Sequence, residues 1–218
     1  MSNAIDFAKF FIKRGLDTSR NTYDGNMKLQ KLLFFSDFIS LSETGHKLFP
    51  EPVRAFSNGC VIENVRLRYK NDFANLCSDS MAFEPDFSQD EYDTLNLAIS
   101  IFGQLSAREL SDLNHGFLFW KRAYERSCTV SGFKSKDLAI VHESEMLSEV
   151  DKIKAVIRVY KSNRTERAMH EIINGKIFFY SPDFEMTDAI LEELEKFSRV
   201  SDENTYSVYI EDGNLVII

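Results

Sequence analysis

The stretch KLQKLLFFSDFISL, residues 28–41, decides the fold of the first half of this chain. Its leucines and its isoleucine recur at helical spacing, which predicts an amphipathic helix. Phe34, Phe35 and Phe38 widen the apolar stripe, and three rings in five residues exceed what one helix face can bury. We therefore expect some of these rings at a contact surface, while a place in the core is the competing and commoner role of such a stripe.

Other helices are predicted on both sides of this stretch. Residues 4–14 and 118–127 have the pattern of short helices. The sequences SQDE and SARE, at 88–91 and 106–109, are two capping boxes, in which serine accepts from the N3 amide and glutamate reaches back. Together they predict a helical hairpin at 88–116.

The segment between the helix at 28–41 and the helical hairpin at 88–116 is harder to assign. Residues 46–60 contain two of the four prolines, which predicts a connector with little regular structure. Residues 61–73 are predicted to be a helix, and residues 74–87 a loop.

After residue 130 the pattern alternates between helix and strand. Helices are predicted at 144–161, 164–173 and 187–198, and a strand at 176–180. TYSVYI and NLVII, which flank Glu211-Asp212-Gly213, predict a terminal antiparallel hairpin, because Asp-Gly supplies the positive φ of a tight turn. The predicted fold class is therefore mainly α, followed by a small α+β module with a short antiparallel sheet.

Composition limits the classes of function. The 218 residues carry 26 Lys and Arg against 34 Asp and Glu, a net charge of −8. This acidic balance disfavours broad nucleic-acid binding, which needs cations against phosphates. No apolar run is long enough to span a bilayer, and charges interrupt the N-terminal segment, so neither a membrane segment nor a signal peptide is predicted and we expect a cytoplasmic protein.

The unusual feature of the composition is its 19 Phe, 8 Tyr and one Trp, which must fill a core or line a contact surface. The charge is also uneven. Residues 1–130 hold 15 basic and 17 acidic residues, whereas residues 131–218 hold 11 and 17. The two parts of the chain therefore differ in character.

Motifs of catalysis are absent from the sequence. It has no glycine-rich phosphate loop, no nucleophile elbow and no HExxH, and its three separated cysteines predict neither disulfides nor a zinc site. Cys60 and His115 could pair as nucleophile and base. The favoured roles are a small core residue for Cys60 and a cap on the last helical carbonyls for His115. We expect no enzyme activity, no cofactor and no metal.

Five blocks in order resemble the Panacea antitoxin domain, a SocA-like family that is also phage-associated. They are LQKLLFFSDF at 29–38, LF at 48–49, RAFSNGCV at 54–61, LRYK at 67–70 and LSDLNH at 110–115 with Trp120 after it. The motif residues are Leu29, Gln30, Lys31, Leu32, Gly59 and His115.

The resemblance covers about residues 5–127. It implies a Panacea-like helical domain at 1–130 and leaves an acidic extension at 131–218 as a candidate module for toxin specificity. Two positions depart from the family pattern: Cys60 stands where the family has proline, and Phe56 where it has tryptophan.

The resemblance implies an antitoxin of a type II toxin-antitoxin system, which neutralises a cognate protein toxin, encoded by the neighbouring gene, through direct contact. Some relatives deliver the toxin to a protease, so a Clp-type unfoldase is a second expected partner. The alternative is a phage- or mobile-element-associated proteolytic adaptor or a transcriptional regulator. A regulator would bind its own promoter with a steep salt dependence.

The predicted contact surface combines rings with a basic rim, as interface hot spots do. Its members are Phe34, Phe35, Phe38, Phe56 and Trp120, with Arg54 and Arg66 at the rim. The competing interpretation of the basic residues is a solvated helix face, because acidic residues alternate with them.

Overall fold

A computed structural model describes residues 2–129, 132–165, 169–203, 205–211 and 213–218. The chain forms two compact units, Met1–Val156 and Ile157–Ile218. The fold is 55% helical, and the mainly α class with a C-terminal α+β part is confirmed. The first unit contains α1 (Ala4–Lys13), α2 (Tyr23–Thr44), β1 (Val53–Phe56), β2 (Gly59–Ile62), α3 (Glu63–Asn71), α4 (Phe73–Ala82), α5 (Gln89–Phe102), α6 (Ala107–His115), α7 (Leu118–Ser127), α8 (Glu143–Leu147) and the start of α9 (Val150–Thr165).

Helix α2 lies at the centre of the first unit and extends beyond the predicted 28–41 at both ends. The Thr22 side chain accepts from the Gly25 amide at its start, and Gly45 ends it at a φ of 78°. The helix contacts α1, α3, α5, α6, α8 and β2. It is therefore covered on most of its circumference rather than along one stripe.

The three phenylalanines of α2 are core residues, each at most 1% exposed. Phe38 lies edge-on to Phe117 and Phe119, with ring centroids 5.3 and 5.4 Å apart, and Phe35 stacks on a ring of α5 at 4.2 Å. This corrects the assignment of Phe34, Phe35 and Phe38 to a contact surface. Several neighbouring helices, rather than one, take up the rings that a single face could not bury.

The helical hairpin predicted from the two capping boxes is confirmed as α5 and α6. In each box the serine side chain, Ser88 or Ser106, accepts from the N3 amide and the N3 glutamate accepts from the serine amide. Helices α1 and α7 also match their predicted positions. These elements were predictable because their signals are local.

Two segments differ from the sequence predictions. The connector at 46–60 contains β1 and the first half of β2, which pair antiparallel with Phe56 opposite Gly59. The loop predicted at 74–87 is helix α4 up to Ala82. Within α4 only Leu76 and Ser80 are buried, and only the first of them is apolar. A single buried apolar residue gives no helical periodicity, so the sequence did not indicate a helix here.

Residues after 131 complete the first unit. The Ala55 amide donates to the Ala139 carbonyl at 2.8 Å, and the Val141 amide donates to the Val53 carbonyl at 2.9 Å, so this segment pairs with the outer edge of β1. The single helix predicted at 144–161 is two helices, α8 and α9. The compact unit ends at 156, while a boundary of the family domain near 130 stays a prediction.

The second unit contains the end of α9, a four-stranded sheet and one further helix. Its elements after α9 are β3 (Met169–Ile173), β4 (Lys176–Tyr180), α10 (Asp188–Ser198), β5 (Thr205–Glu211) and β6 (Asn214–Ile217). The strand order is β3-β4-β5-β6. A core of Phe178, Tyr180, Leu194, Tyr206 and Val208 joins α10 to one face of the sheet.

The terminal hairpin is confirmed as β5 and β6, although its turn residue Asp212 lies outside the described residues. The short antiparallel sheet is corrected to a mixed one, because β4 and β5 pair in parallel. A helix between two strands makes such a parallel pairing possible. The helix predicted at 164–173 is also wrong over 169–173, where β3 lies; residues 166–168 are outside the described part.

Within the described residues, the helices are all too short or too polar to cross a membrane.

Phe38→Ala is expected to lower the free energy of unfolding by about 3–5 kcal/mol, because it leaves a cavity among packed rings. The matched control is Phe133→Ala, since that ring is 76% exposed. The control should stay within about 0.5 kcal/mol of the wild type in urea unfolding. Equal losses in the two variants would contradict the central position of α2.

Candidate functional site

Side chains, rather than a third strand, form hydrogen bonds with the backbone groups on the outer edge of β2. Asn114 Oδ1 accepts from the Cys60 amide at 2.6 Å, and Lys31 Nζ donates to the Cys60 carbonyl at 2.8 Å. Gln30 Oε1 accepts from the Ile62 amide at 2.8 Å. All four residues of β2 are buried, so these backbone groups depend on α2 and α6 for their partners.

The turn of the hairpin is held by α6 and α7 through three successive carbonyls, those of residues 56–58. Trp120 Nε1 donates to the first carbonyl at 3.0 Å, His115 Nε2 lies 3.1 Å from the second, and Ser111 Oγ donates to the third at 3.0 Å. His115 therefore contacts the hairpin turn, which corrects its predicted role as a cap on its own helix.

Gly59 is required by this arrangement. Its φ of +94° lies in the region that favours glycine. A Cβ at this position would lie 2.5 Å from Asn114 Oδ1 and 2.8 Å from Lys31 Nζ. The remaining motif residues, Leu29 and Leu32, are fully buried in the core.

A cavity of about 390 Å³ lies beside the hairpin. Its walls come from the first turns of α2, from the hairpin and from α3. Lys31, Arg66 and Lys70 line it, and no aspartate or glutamate does. Burial lowers the pKa of Lys31 to about 8.

Four of the predicted contact residues surround the hairpin and are half-buried: Arg54, Phe56, Arg66 and Trp120. The Arg66 guanidinium lies 5.7 Å from the centroid of the Phe56 ring. Arg54 Nε donates to the Lys136 carbonyl at 3.2 Å. The structure thus brings Phe56, Arg66 and Trp120 together, whereas it places the rings of α2 in the core.

A row of rings beside the hairpin was missed by the sequence analysis. His115 lies 4.1 Å from Trp120, and Trp120 stacks on Tyr124 at 5.2 Å, measured between ring centroids. We call these three residues the ring row. The sequence did contain a signal for this row, because Trp120 and Tyr124 are four residues apart on one predicted helix and so lie on the same face.

Two of the three basic residues of α3 are paired with acids, as the interpretation of a solvated face expects. Arg66 Nε lies 2.7 Å from a Glu63 carboxylate oxygen, and Arg68 pairs with Asp79. Hydrogen bonding from Arg66 lowers the pKa of Glu63 to about 2. Arg66 is therefore held in place beside Phe56.

The alternative in which Cys60 and His115 pair as nucleophile and base has little support. Cys60 is fully buried, and burial raises the pKa of its thiol to about 12. The thiol is therefore protonated at neutral pH and is a poor nucleophile. Among the described residues, no group of three or more His, Cys, Asp or Glu side chains is placed to hold a metal ion.

Comparison with family models gives a match to part of the chain. Residues 29–121 match the model described as antitoxin SocA-like, Panacea domain. This stretch has the Panacea pattern. The match confirms the predicted resemblance and includes the residues of α2, α6 and α7 that bond to the hairpin backbone, from Gln30 to Trp120. No curated protein matches the chain, and no solved structure matches it either.

The Panacea match indicates an antitoxin-like role, and antitoxin-like families are generally non-enzymatic. In this chain the Panacea motif residues mainly support the hairpin. Their polar members bond to it, and their leucines form the core behind it. The motif therefore builds a scaffold that presents the hairpin turn and the residues around it.

Gly59→Ala is expected to destabilise the protein by at least ~3 kcal/mol, because strain at positive φ adds to a clash with Asn114 and Lys31. Gly15→Ala is the matched control, since Gly15 has a φ of +71° and no atom within 4 Å of an added Cβ. The control should lose only about 1–2 kcal/mol in thermal or urea unfolding. Similar losses of stability in the two variants would show that the close contacts of Asn114 and Lys31 with Gly59 do not matter.

Lys31 should make stability depend on pH. Its pKa is about 8 in the folded protein against 10.5 as its ordinary value, so the unfolded state binds more protons between these pH values. The free energy of unfolding should therefore rise with pH in this window, by about 2 kcal/mol between pH 7.5 and 9.5. Lys31→Met should lack this rise.

Urea unfolding at the two pH values gives the free energy of unfolding of the variant and of the wild type. The contributions of the other titrating groups cancel in the difference between the two proteins. The control Lys121→Met changes an exposed lysine and should keep the wild-type pH dependence. Parallel pH profiles for wild type and Lys31→Met would contradict the buried charge.

Proposed function

We propose that this protein is the antitoxin of a type II toxin-antitoxin pair and neutralises a cognate protein toxin by direct contact. The observation that carries the proposal is the Panacea match over residues 29–121. The proposed contact surface is the hairpin turn with the ring row, rimmed by Arg54 and Arg66.

The chemistry of this surface suits protein recognition. Phe56, Trp120 and Tyr124 are half-buried, so each has a fixed base and an exposed part. Tryptophan, tyrosine and arginine are enriched among interface hot spots. Trp120 and His115 are also bonded to backbone carbonyls of the turn, which lowers the conformational entropy lost when a partner binds.

Charge supports the same proposal at longer range. The chain has a net charge of −8, which would attract a basic toxin and speed its association. Residues 157–218 contribute strongly, with 12 acidic against 7 basic residues. The acidic second unit is accordingly the proposed module for toxin specificity.

The sheet of the second unit offers an edge for such specificity. β3 is an outer strand, and its residues Met169 and Ile172 are 53% and 65% exposed. An exposed strand edge can pair with an extended segment of another chain. Deleting residues 144–218 would not test the specificity module alone, because the deletion also removes parts of the first unit. Met146 is buried in that unit, and Glu149 accepts from the Phe119 amide at 2.9 Å.

Co-expression with the product of the neighbouring gene tests the function. That product should be toxic alone and harmless together with this protein, and the two should co-purify. A harmless neighbour, or toxicity that persists in the presence of this protein, would refute the proposal.

Variants of the full chain then test the surface. Trp120→Ala and Arg66→Glu should each weaken toxin binding at least ~10-fold, since a hot-spot residue is worth about 2 kcal/mol or more. Phe133→Ala and Arg108→Glu, which change an exposed ring and an exposed arginine outside the surface, should leave affinity unchanged. Wild-type affinity in both surface variants would exclude this surface.

The edge of β3 is tested in the same binding assay. Ile172→Lys places a charge on the exposed edge strand without disturbing the core of the second unit. Reduced affinity would support the specificity module, and unchanged affinity would assign recognition to the first unit alone.

A further inference from the structure

The cavity beside the hairpin is basic in an acidic protein. Three of its lining residues, Lys31, Arg66 and Lys70, are cations, and none is an acid. Its volume of about 390 Å³ falls in the range of pockets that bind small molecules. The contact surface proposed above does not require a cavity of this size, so its chemistry needs a separate explanation.

Lys31 is a buried lysine in the lining of this cavity. It is 1% exposed, and its only described hydrogen bond goes to the uncharged carbonyl of Cys60. No carboxylate of the described residues lies within ion-pairing distance of it. A buried ammonium without an opposite charge is costly, and an anion in the cavity would offset that cost.

The other cations strengthen the positive field at the mouth. Lys70 is exposed at the rim, and no described carboxylate pairs with it. Arg66 contributes less, because Glu63 neutralises it outside the cavity. The first residue of α2, Tyr23, also lines the cavity, so the positive end of this helix's dipole adds to the field.

Phe56 from the hairpin and Tyr23 from α2 are aromatic residues of the lining. Asn58 Nδ2 donates to the Tyr23 hydroxyl at 2.6 Å, which ties the hairpin turn to the start of the helix. Aromatic side chains held in this way offer faces on which a planar ring can stack. The lining of the cavity thus combines cationic side chains with aromatic ones.

We propose that this cavity binds a small anionic molecule that carries a planar ring, of the chemical class of a mononucleotide. Its phosphate would lie toward Lys31 and its ring between the hairpin and the start of α2. The proposal does not depend on the antitoxin role.

Titration of the full-length protein with adenosine monophosphate, followed by calorimetry, tests the site. We expect saturable binding of one molecule per chain, competition by inorganic phosphate, and at least ~10-fold weaker binding of adenosine, because the nucleoside lacks the anion. Lys31→Gln should weaken binding of the nucleotide at least ~10-fold.

Lys70→Glu gives a second measurement that does not touch the core, because this side chain is exposed. It should weaken nucleotide binding by about 3- to 10-fold, whereas Lys121→Glu, the same charge change outside the cavity, should have no effect. Circular dichroism confirms that each variant is folded.

Absence of binding by both the nucleotide and inorganic phosphate up to ~10 mM would overturn the proposal. Wild-type affinity in the folded Lys31→Gln and Lys70→Glu variants would overturn it as well. If these variants weaken toxin binding while the nucleotide neither binds nor competes, the cavity receives an acidic group of the protein partner, and the small-molecule proposal is wrong.

Discussion

Three hydrogen bonds from side chains to the outer edge of β2 hold the centre of the first unit together. A hairpin with strands of four residues is marginal by itself, and a buried strand edge leaves backbone groups without water. Asn114, Lys31 and Gln30 supply these partners from two helices. The hairpin and the helices α2 and α6 therefore fix one another's positions, and the outer edge of β1 is completed by the segment around Ala139.

This constraint links stability to the proposed functions. Lys31 bonds to the hairpin through its ammonium group and also lines the cavity, so the same side chain contributes to the fold and to the charge beside the cavity. On the other side of the turn, Trp120 holds the carbonyl of Phe56 and presents its own ring. A substitution in the motif would affect both the support of the hairpin and the surface it presents.

The sequence predicted the structure correctly where the pattern that specifies an element lies among neighbouring residues. The boxes that begin at Ser88 and Ser106 predicted α5 and α6, and the ordered motif blocks predicted the Panacea match. It failed where pairing is long-range. The strands β1 and β2 are held by residues from positions 30 to 141, and the parallel pairing of β4 with β5 depends on a helix between them. Neither arrangement leaves a local pattern.

The sequence by itself determined the helices α1, α2, α5, α6 and α7, the acidic charge and the family match, because periodicity, caps and motif order are properties of neighbouring residues. Only the tertiary structure decided which rings are buried. Phe34 and Phe56 have the same side chain, yet the first is surrounded by helices and the second lies half-buried at the turn. The tertiary structure also decided that Lys31 lies beside a cavity without a carboxylate, since burial and charge pairing depend on segments distant in the chain.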